Sequence, residues 1–445
     1  MDMCQGPLLR KIVLFSIPLI CSGILQLLFH TVDLIVLGRF ASYQALAAVG
    51  VTGSITHLLT IVCLGVSIGA NVLVARYLGA RERSNVSRSV HTAIAFSLFA
   101  GAFLVVFGFF VARPVLTLMN TPEEIIDMSV TYMRIYFAGM PGIMLYNFGG
   151  AVLRAQGDTR RPFYFLVTAG IVNVLLNLFF VIVCKWSVGG VATATIISQC
   201  LAAALVLRVL VNSRNACRIK LSQLSIHWSY LKTMLWIGVP AGVQSACFSL
   251  ANLWVQACMN EFGPEVLAGN TAATSWEAIG FLLSTALGQA LVSFVSQNYG
   301  GKQYKRIRKS IKYCSVLCFF STVVFCLLLW FFREETLGLF NKDPNVIRWG
   351  VVKFQILLPL MFACGFQEIY ASALRGLGYS VGPTVVMIFC ISVLRLIWLF
   401  TLYRLNPTFS MLMLTYPVSW VASTLFTWLY LHWALRKIPN QNMPR

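Results

Sequence analysis

Acid is what this sequence has least of. Asp and Glu supply 14 of its 445 residues against 34 Lys and Arg, and charged residues together reach only 11%. Soluble chains carry roughly twice that charged fraction, so a water-soluble globule is excluded. The signatures of catalysis are missing too: no HExxH, no GxSxG, no GxxxxGK(S/T) and no glycine-rich dinucleotide turn occurs. The thirteen cysteines show no paired ligand spacing. Cys21, Cys63, Cys200, Cys247 and Cys390 lie in apolar runs, where a thiol behaves as a small hydrophobe. Neither a disulfide framework nor a zinc site is implied. No enzyme and no cofactor is expected.

What the chain has is apolar length. Hydrophobic residues make up 58% and the mean hydropathy is +0.78. Twelve apolar runs follow in order, near 12–37, 45–75, 91–112, 125–152, 163–184, 189–211, 233–258, 266–298, 311–332, 346–373, 384–403 and 408–435. A run of about 20 apolar residues crosses a bilayer core. Helix is the open choice, since strands of a membrane barrel alternate in short segments. The first run is too long for the apolar region of a signal peptide and is expected to be retained.

The net charge of +20 is a topology signal, because the basic residues gather in alternate loops. Arg76, Arg81, Arg83 and Arg88 lie in one such loop, and Lys302, Lys305, Arg306, Arg308, Lys309 and Lys312 in another. The positive-inside rule then puts both termini in the cytoplasm of a multi-pass protein of the inner membrane. The partners expected are a lipid bilayer and a small molecule, not nucleic acid, and the chain is expected to act as a monomer.

The two halves repeat at an offset of 221–222 residues. Leu153–Pro162 (LRAQGDTRRP) faces Leu374–Pro383 (LRGLGYSVGP), Pro18 faces Pro240, and Gly79-Ala80-Arg81 faces Gly300-Gly301-Lys302. Six spans per half is an even number, so both halves enter from the same side as a parallel repeat, a common scaffold for alternating access. The fold expected is an all-α polytopic membrane protein, twelve transmembrane helices in two six-helix bundles related by a pseudo-twofold axis. Residues 1–211 form the first bundle, 212–230 a polar cytoplasmic linker, and 231–445 the second bundle.

Only three acids fall inside spans: Asp33, Glu277 and Glu368. A carboxylate at membrane depth costs about 2.5–3.5 kcal/mol on insertion scales, so each invites a function. In the fifth span Asn173 and Asn177 lie four apart on one helix face, and the sixth carries Thr193 and Thr195. Carbonyl and hydroxyl oxygens beside a carboxylate suit a hard monovalent cation. Equally, a carboxyl in apolar surroundings exchanges its proton nearer neutral pH than one in water. Glu277 could neutralise a cationic substrate or pair with the in-span Arg395. Glu368 could touch substrate, with a pair to Arg375 or Lys353 the first expectation. Tyr132, Tyr136, Tyr146 and Tyr370 with Met140 and Met144 could line a cavity for an aromatic cation, with packing the default. In-span Arg134 is expected to snorkel or pair locally.

These residues resemble the multidrug and toxic compound extrusion (MATE) transporters. The resemblance is carried by Pro18–Gly38 (PLICSGILQLLFHTVDLIVLG), Ala45–Gly50 (ALAAVG), Val72–Arg81 (VLVARYLGAR), LRAQGDTRRP, Ala268-Gly269-Asn270 and Gln297-Asn298-Tyr299-Gly300. The second half looks most like the DinF-like bacterial branch. The resemblance implies two six-helix bundles around a cleft, exporting mainly cationic, amphipathic compounds in exchange for sodium or protons. The family's first-span aspartate matches Asp33, its bending proline Pro18, and its sixth-span threonine Thr195. Its fifth-span pair, Asn followed four later by Asp, matches Asn173 and Asn177, so one formal charge is absent here. With a single carboxylate left, H+ is preferred over Na+ as the coupling ion, and no metal other than sodium at Asp33 is expected. A flippase for a lipid-linked oligosaccharide or cell-wall precursor is the nearest rival. It should carry more cavity cations than Arg134, Lys353 and Arg395. A channel is disfavoured for want of a ring of filter residues.

Overall fold

The computed structural model describes residues 1–439, the side chain of His30 apart. Among the described residues there are helices and turns and no strand, as an apolar environment that cannot hydrogen-bond a free backbone requires. In the first half the spans are α1 (Leu8–Phe40), α2 (Tyr43–Gly79), α3 (Arg83–Leu118), α4 (Glu123–Ala138 with Met140–Ala155), α5 (Arg160–Leu178) and α6 (Ser187–Val211). In the second they are α7 (Trp228–Met259), α8 (Pro264–Gly300), α9 (Tyr304–Phe331), α10 (Pro344–Leu357 with Met361–Leu377), α11 (Val381–Met387 with Leu394–Phe400) and α12 (Phe409–Arg436).

Eleven of these are apolar spans long enough to cross a membrane among the described residues. The twelfth, α4, is interrupted at Gly139, where Pro141 follows and cannot donate to the helical ladder. Its counterpart α10 carries the same break as a 3₁₀ turn at Leu358–Leu360, around Pro359. Polar ends are capped where the sequence supplies caps. Ser42 accepts from the Ala45 amide at 3.2 Å ahead of α2, and Asp343 from the Asn345 amide at 2.9 Å ahead of α10.

The repeat is visible in the backbone. Gly157 and Gly378, equivalent in the two ten-residue motifs, both take positive φ, +82° and +98°. Only glycine holds that conformation without cost. Arg81 and Lys302, equivalent in the turns after α2 and α8, do the same at +61° and +55°.

The chain forms two compact units. One comprises Met1–Asp2 and Ile17–Gly242, the other Met3–Ser16 and Val243–Arg445. Both α1 and α7 therefore change unit within a few residues of an internal proline, Pro18 and Pro240. In the first unit α2 meets the start of α7 through glycines. A Cβ on Gly69 would lie 2.0 Å from the Met234 carbonyl and one on Gly238 2.2 Å from that of Val66, the close approach that small residues permit between membrane helices. The linker is fixed here as well. His91 Nε2 accepts from the Lys220 amide at 3.1 Å and Thr92 from the His227 amide at 3.2 Å. Buried Cys217 seals this contact, and burial pushes its thiol up to about 12. In the second unit the N-terminal segment is held by α8 and α9. The Met3 amide donates to Gln297 at 2.7 Å, and Arg306 donates to the carbonyls of Met3, Gln5 and Gly6.

Candidate ion-coupling site

In the first unit, α1, α5 and α6 bring four predicted residues into one hydrogen-bonded chain. The Asn177 amide donates to Asp33 Oδ1 and, at 3.2 Å, to Asn173 Oδ1. Asn173 donates in turn to Thr195 Oγ1 at 3.4 Å, and Thr195 donates to the Val191 carbonyl at 3.0 Å. Asn173 and Asn177 are buried, while Asp33 and Thr195 are half-buried. Asp33 touches no basic side chain among the described residues. Asn177 Oδ1 is buried and finds no donor among them. The site is thus one acid and three side-chain carbonyl or hydroxyl oxygens, one of them, Asn177 Oδ1, a spare acceptor among the described residues.

Sequence reading did not single out Gly170. It lies three residues before Asn173, as Phe29 lies four before Asp33, and a Cβ there would fall 1.5 Å from the Phe29 ring. Absence of a side chain at 170 lets α1 approach α5 closely enough for Asp33 to meet Asn177. The available signal was a glycine one turn from a polar in-span pair. Past Asn177, α5 passes into a π turn, Phe179–Val183, a distortion common at functional sites. Pro18 sits nearly three turns into α1, and its carbonyl accepts from Ser22 Oγ at 2.7 Å.

The aromatic and thioether residues are packed. Tyr132 belongs to a cluster with Val36 and Leu37, flanked by Val32 and Leu34, so it buttresses α1 beside Asp33. Tyr136 and Met140 lie in the core with Met144 and Phe148, and the Tyr136 hydroxyl is 2.7 Å from Thr60 Oγ1. Tyr370 lines an apolar cavity of about 440 Å³ with Phe366 and Trp428. Arg134 snorkels, its guanidinium 4.3 Å from the Phe109 ring centre.

The second unit corrects one expectation. Glu277 does not pair with Arg395. It pairs with Lys353 at 3.2 Å, and Lys353 also donates to Thr274 at 2.6 Å. Thr274 and Glu277 are one turn apart on α8, so a lysine from α10 satisfies both. Glu368 does pair with Arg375, at 3.3 Å, and Arg375 donates to Gln244 at 2.9 Å. Among the described residues no cluster of His, Cys, Asp and Glu could hold a metal ion.

A protein-family model described as MatE matches residues 18–179 and 240–401, one copy on each repeat. Among similar proteins, the probable multidrug resistance protein YoeA of Bacillus subtilis is 28% identical over 390 residues, 86% of this chain and 84% of that protein. The FAD transporter of Shewanella oneidensis is 26% identical over 384 residues, 83% of each. Solved structures share the fold. An outward-facing multidrug resistance MATE transporter superposes with a TM-score of 0.90 at 19% identity, covering 99% of this chain and 98% of that one. A MATE in the straight conformation also gives 0.90 at 19% identity, covering 98% of each.

Proposed function

This chain belongs to the MatE family, and from that premise we propose a secondary active exporter of amphipathic small molecules, organic cations among them, that works by alternating access with Asp33 as its coupling residue. Membership makes it a multi-pass membrane transporter, and the positive-inside pattern supports an inner-membrane location with both termini cytoplasmic. Residues 1–211 and 231–445 act as the two transport domains, 212–230 as their linker, within a monomer. Lacking an ATP site, the protein takes its energy from an ion gradient.

The observation that carries the reading is Asp33 on α1, bonded into a chain of amides and a hydroxyl and touching no basic side chain among the described residues. H+ is the favoured coupling ion. With Asp33 ionised, Asn177 donates to it. Protonation turns Asp33 into a donor, and a flip of the Asn177 amide then presents Oδ1, the acceptor without a partner, to that proton. Asn173 and Thr195 reverse in step, so one proton resets a chain of bonds across three helices. The one charge-assisted bond, from Asn177 to ionised Asp33, contributes about 1.5–3 kcal/mol, enough to bias α1 between two shapes that bend at Pro18. Na+ is the second reading, supported by the same oxygens.

The test is efflux from an efflux-deficient host across a panel of amphipathic compounds, repeated with protonophore and without sodium. Wild type should lower accumulation of at least one compound, protonophore should abolish the effect, and Asp33→Asn should behave as the empty host. Undiminished gradient-driven efflux by Asp33→Asn would sink the assignment, and efflux that follows a sodium gradient at fixed pH would replace H+ by Na+.

A further inference from the structure

The second unit places a cation where the first places its ion site. Arg395 on α11 is 1% exposed, and its Nε donates to Ser419 Oγ on α12 at 3.0 Å and its Nη1 to Asn252 Oδ1 on α7 at 2.8 Å. Helices α7, α11 and α12 repeat α1, α5 and α6, which hold Asp33, Asn173 and Thr195. The position itself is equivalent. The repeats stand 221 residues apart at Pro162 and Pro383 but 222 apart at residues 179 and 401, where the two family matches end. A one-residue slip of that kind is what a π turn inserts, and α11 has one at Ile388–Val393. Beyond it Arg395 falls opposite Asn173, as Val255 falls opposite Asp33. The second repeat has lost the acid of the first and gained a base.

No acid among the described residues pairs with that base. Glu277 is held by Lys353 and Glu368 by Arg375, which leaves Arg395 as one positive charge in excess among these buried groups. Its guanidinium lies 4.4 Å from the Tyr416 ring centre and 5.7 Å from that of Phe248. Trp420 and Phe281 continue the ring cluster, Tyr416 against Trp420 at 6.0 Å and Phe248 against Phe281 at 6.3 Å. Two buried donors in this cluster, Arg395 Nη2 and Trp420 Nε1, find no acceptor among the described residues. Its rim is open: Phe248, Asn252, Phe281 and Tyr416 are only half-buried. An aromatic wall, one spare positive charge and unfilled donors call for a planar, singly charged acceptor on an apolar body.

We propose that Arg395 with Trp420, Tyr416 and Phe248 forms a carboxylate-binding subsite, so that the substrates exported include aromatic monocarboxylates and zwitterions as well as organic cations. The inference rests on the transporter reading, and equilibrium binding separates the two. Asp33-dependent efflux of a cation can persist if the subsite fails, and the subsite can bind its probe if coupling fails.

The experiment is binding of radiolabelled 1-naphthoate to the purified full-length protein, with 1-naphthamide, its neutral isostere, as competitor. Wild type should prefer naphthoate by about tenfold or more, the scale of a hydrogen bond to a charged group. Arg395→Met and Arg395→Gln should bring the two probes to parity, while Arg395→Lys should keep part of the preference. Either neutral variant that folds suffices, and the wild-type comparison needs no variant. Wild type binding naphthoate no better than naphthamide, absent binding included, would overturn the proposal, as would a preference that survives in a folded neutral variant.

Discussion

Among the described residues, Asp33 in the first unit stands among amides and a hydroxyl and touches no basic side chain, whereas in the second Glu277 and Glu368 each touch a cation and Arg395 is left over. The same three-helix corner of the repeat thus ends in opposite charge states. A lone acid can gain and lose a counter-ion more cheaply, because only hydrogen bonds, not an ion pair, must rearrange. A buried acid already paired with lysine cannot, because releasing the lysine strands it in apolar surroundings. Duplication supplied the scaffold twice, and the two copies differ in whether their buried acids are paired with a base among the described residues.

Breaking the fixed network should have the largest effect. Lys353→Met leaves Glu277 as an uncompensated buried charge, and loss of one partner of a buried pair costs about 3–5 kcal/mol. Thermal unfolding in detergent should show a large drop, and the double variant Glu277→Gln with Lys353→Met should recover most of it. A double variant as unstable as the single would mean that the pair is more than a mutual neutraliser. Next in size, Gly170→Val should force α1 from α5 at Phe29 and cost Asp33 its bond to Asn177, lowering gradient-driven transport about 10–100-fold, with substrate binding measured alongside to exclude unfolding. Asn177→Asp sharpens the comparison from the other side. It returns a second acid to the first unit, and transport should acquire a dependence on sodium at fixed pH. The smallest effect belongs to Tyr136→Phe, which removes one neutral hydrogen bond to Thr60, about 1 kcal/mol of stability, and should leave transport unchanged. A transport defect there would place Tyr136 at the substrate instead of in the core.

Much of this was legible in the residues. Apolar runs, loop charge and the Leu153–Pro162 motif against Leu374–Pro383 specify helices and a repeat, since membrane thickness and backbone satisfaction leave little else possible. The scarcity of acid made Asp33, Glu277 and Glu368 stand out, and four-residue spacing put Asn173 and Asn177 on one face. Partner choice was not legible. Glu277 could reach Lys353 or Arg395 from its place in the chain, and only the packing of α8 on α10 favours Lys353. The role of Gly170 was hidden because it depends on the Phe29 ring of another helix. The slip that sets Arg395 opposite Asn173 needed the π turn of α11 to be seen. Packing was the default expectation for Tyr136 and Met140, although an aromatic next to a methionine suits a core as well as a cavity, and the core is where both lie.

The proposed location of coupling is the first unit alone. It is tested most directly by reconstituting wild type, Asp33→Asn and the doubly neutralised Glu277→Gln, Lys353→Met variant in proteoliposomes. Substrate accumulation is then measured under an imposed one-unit pH gradient, worth about 1.4 kcal/mol or tenfold per proton. Wild type and the double variant should both accumulate substrate several-fold, and Asp33→Asn should equilibrate it without accumulation. Accumulation by Asp33→Asn, or its loss in a folded double variant, would contradict the claim.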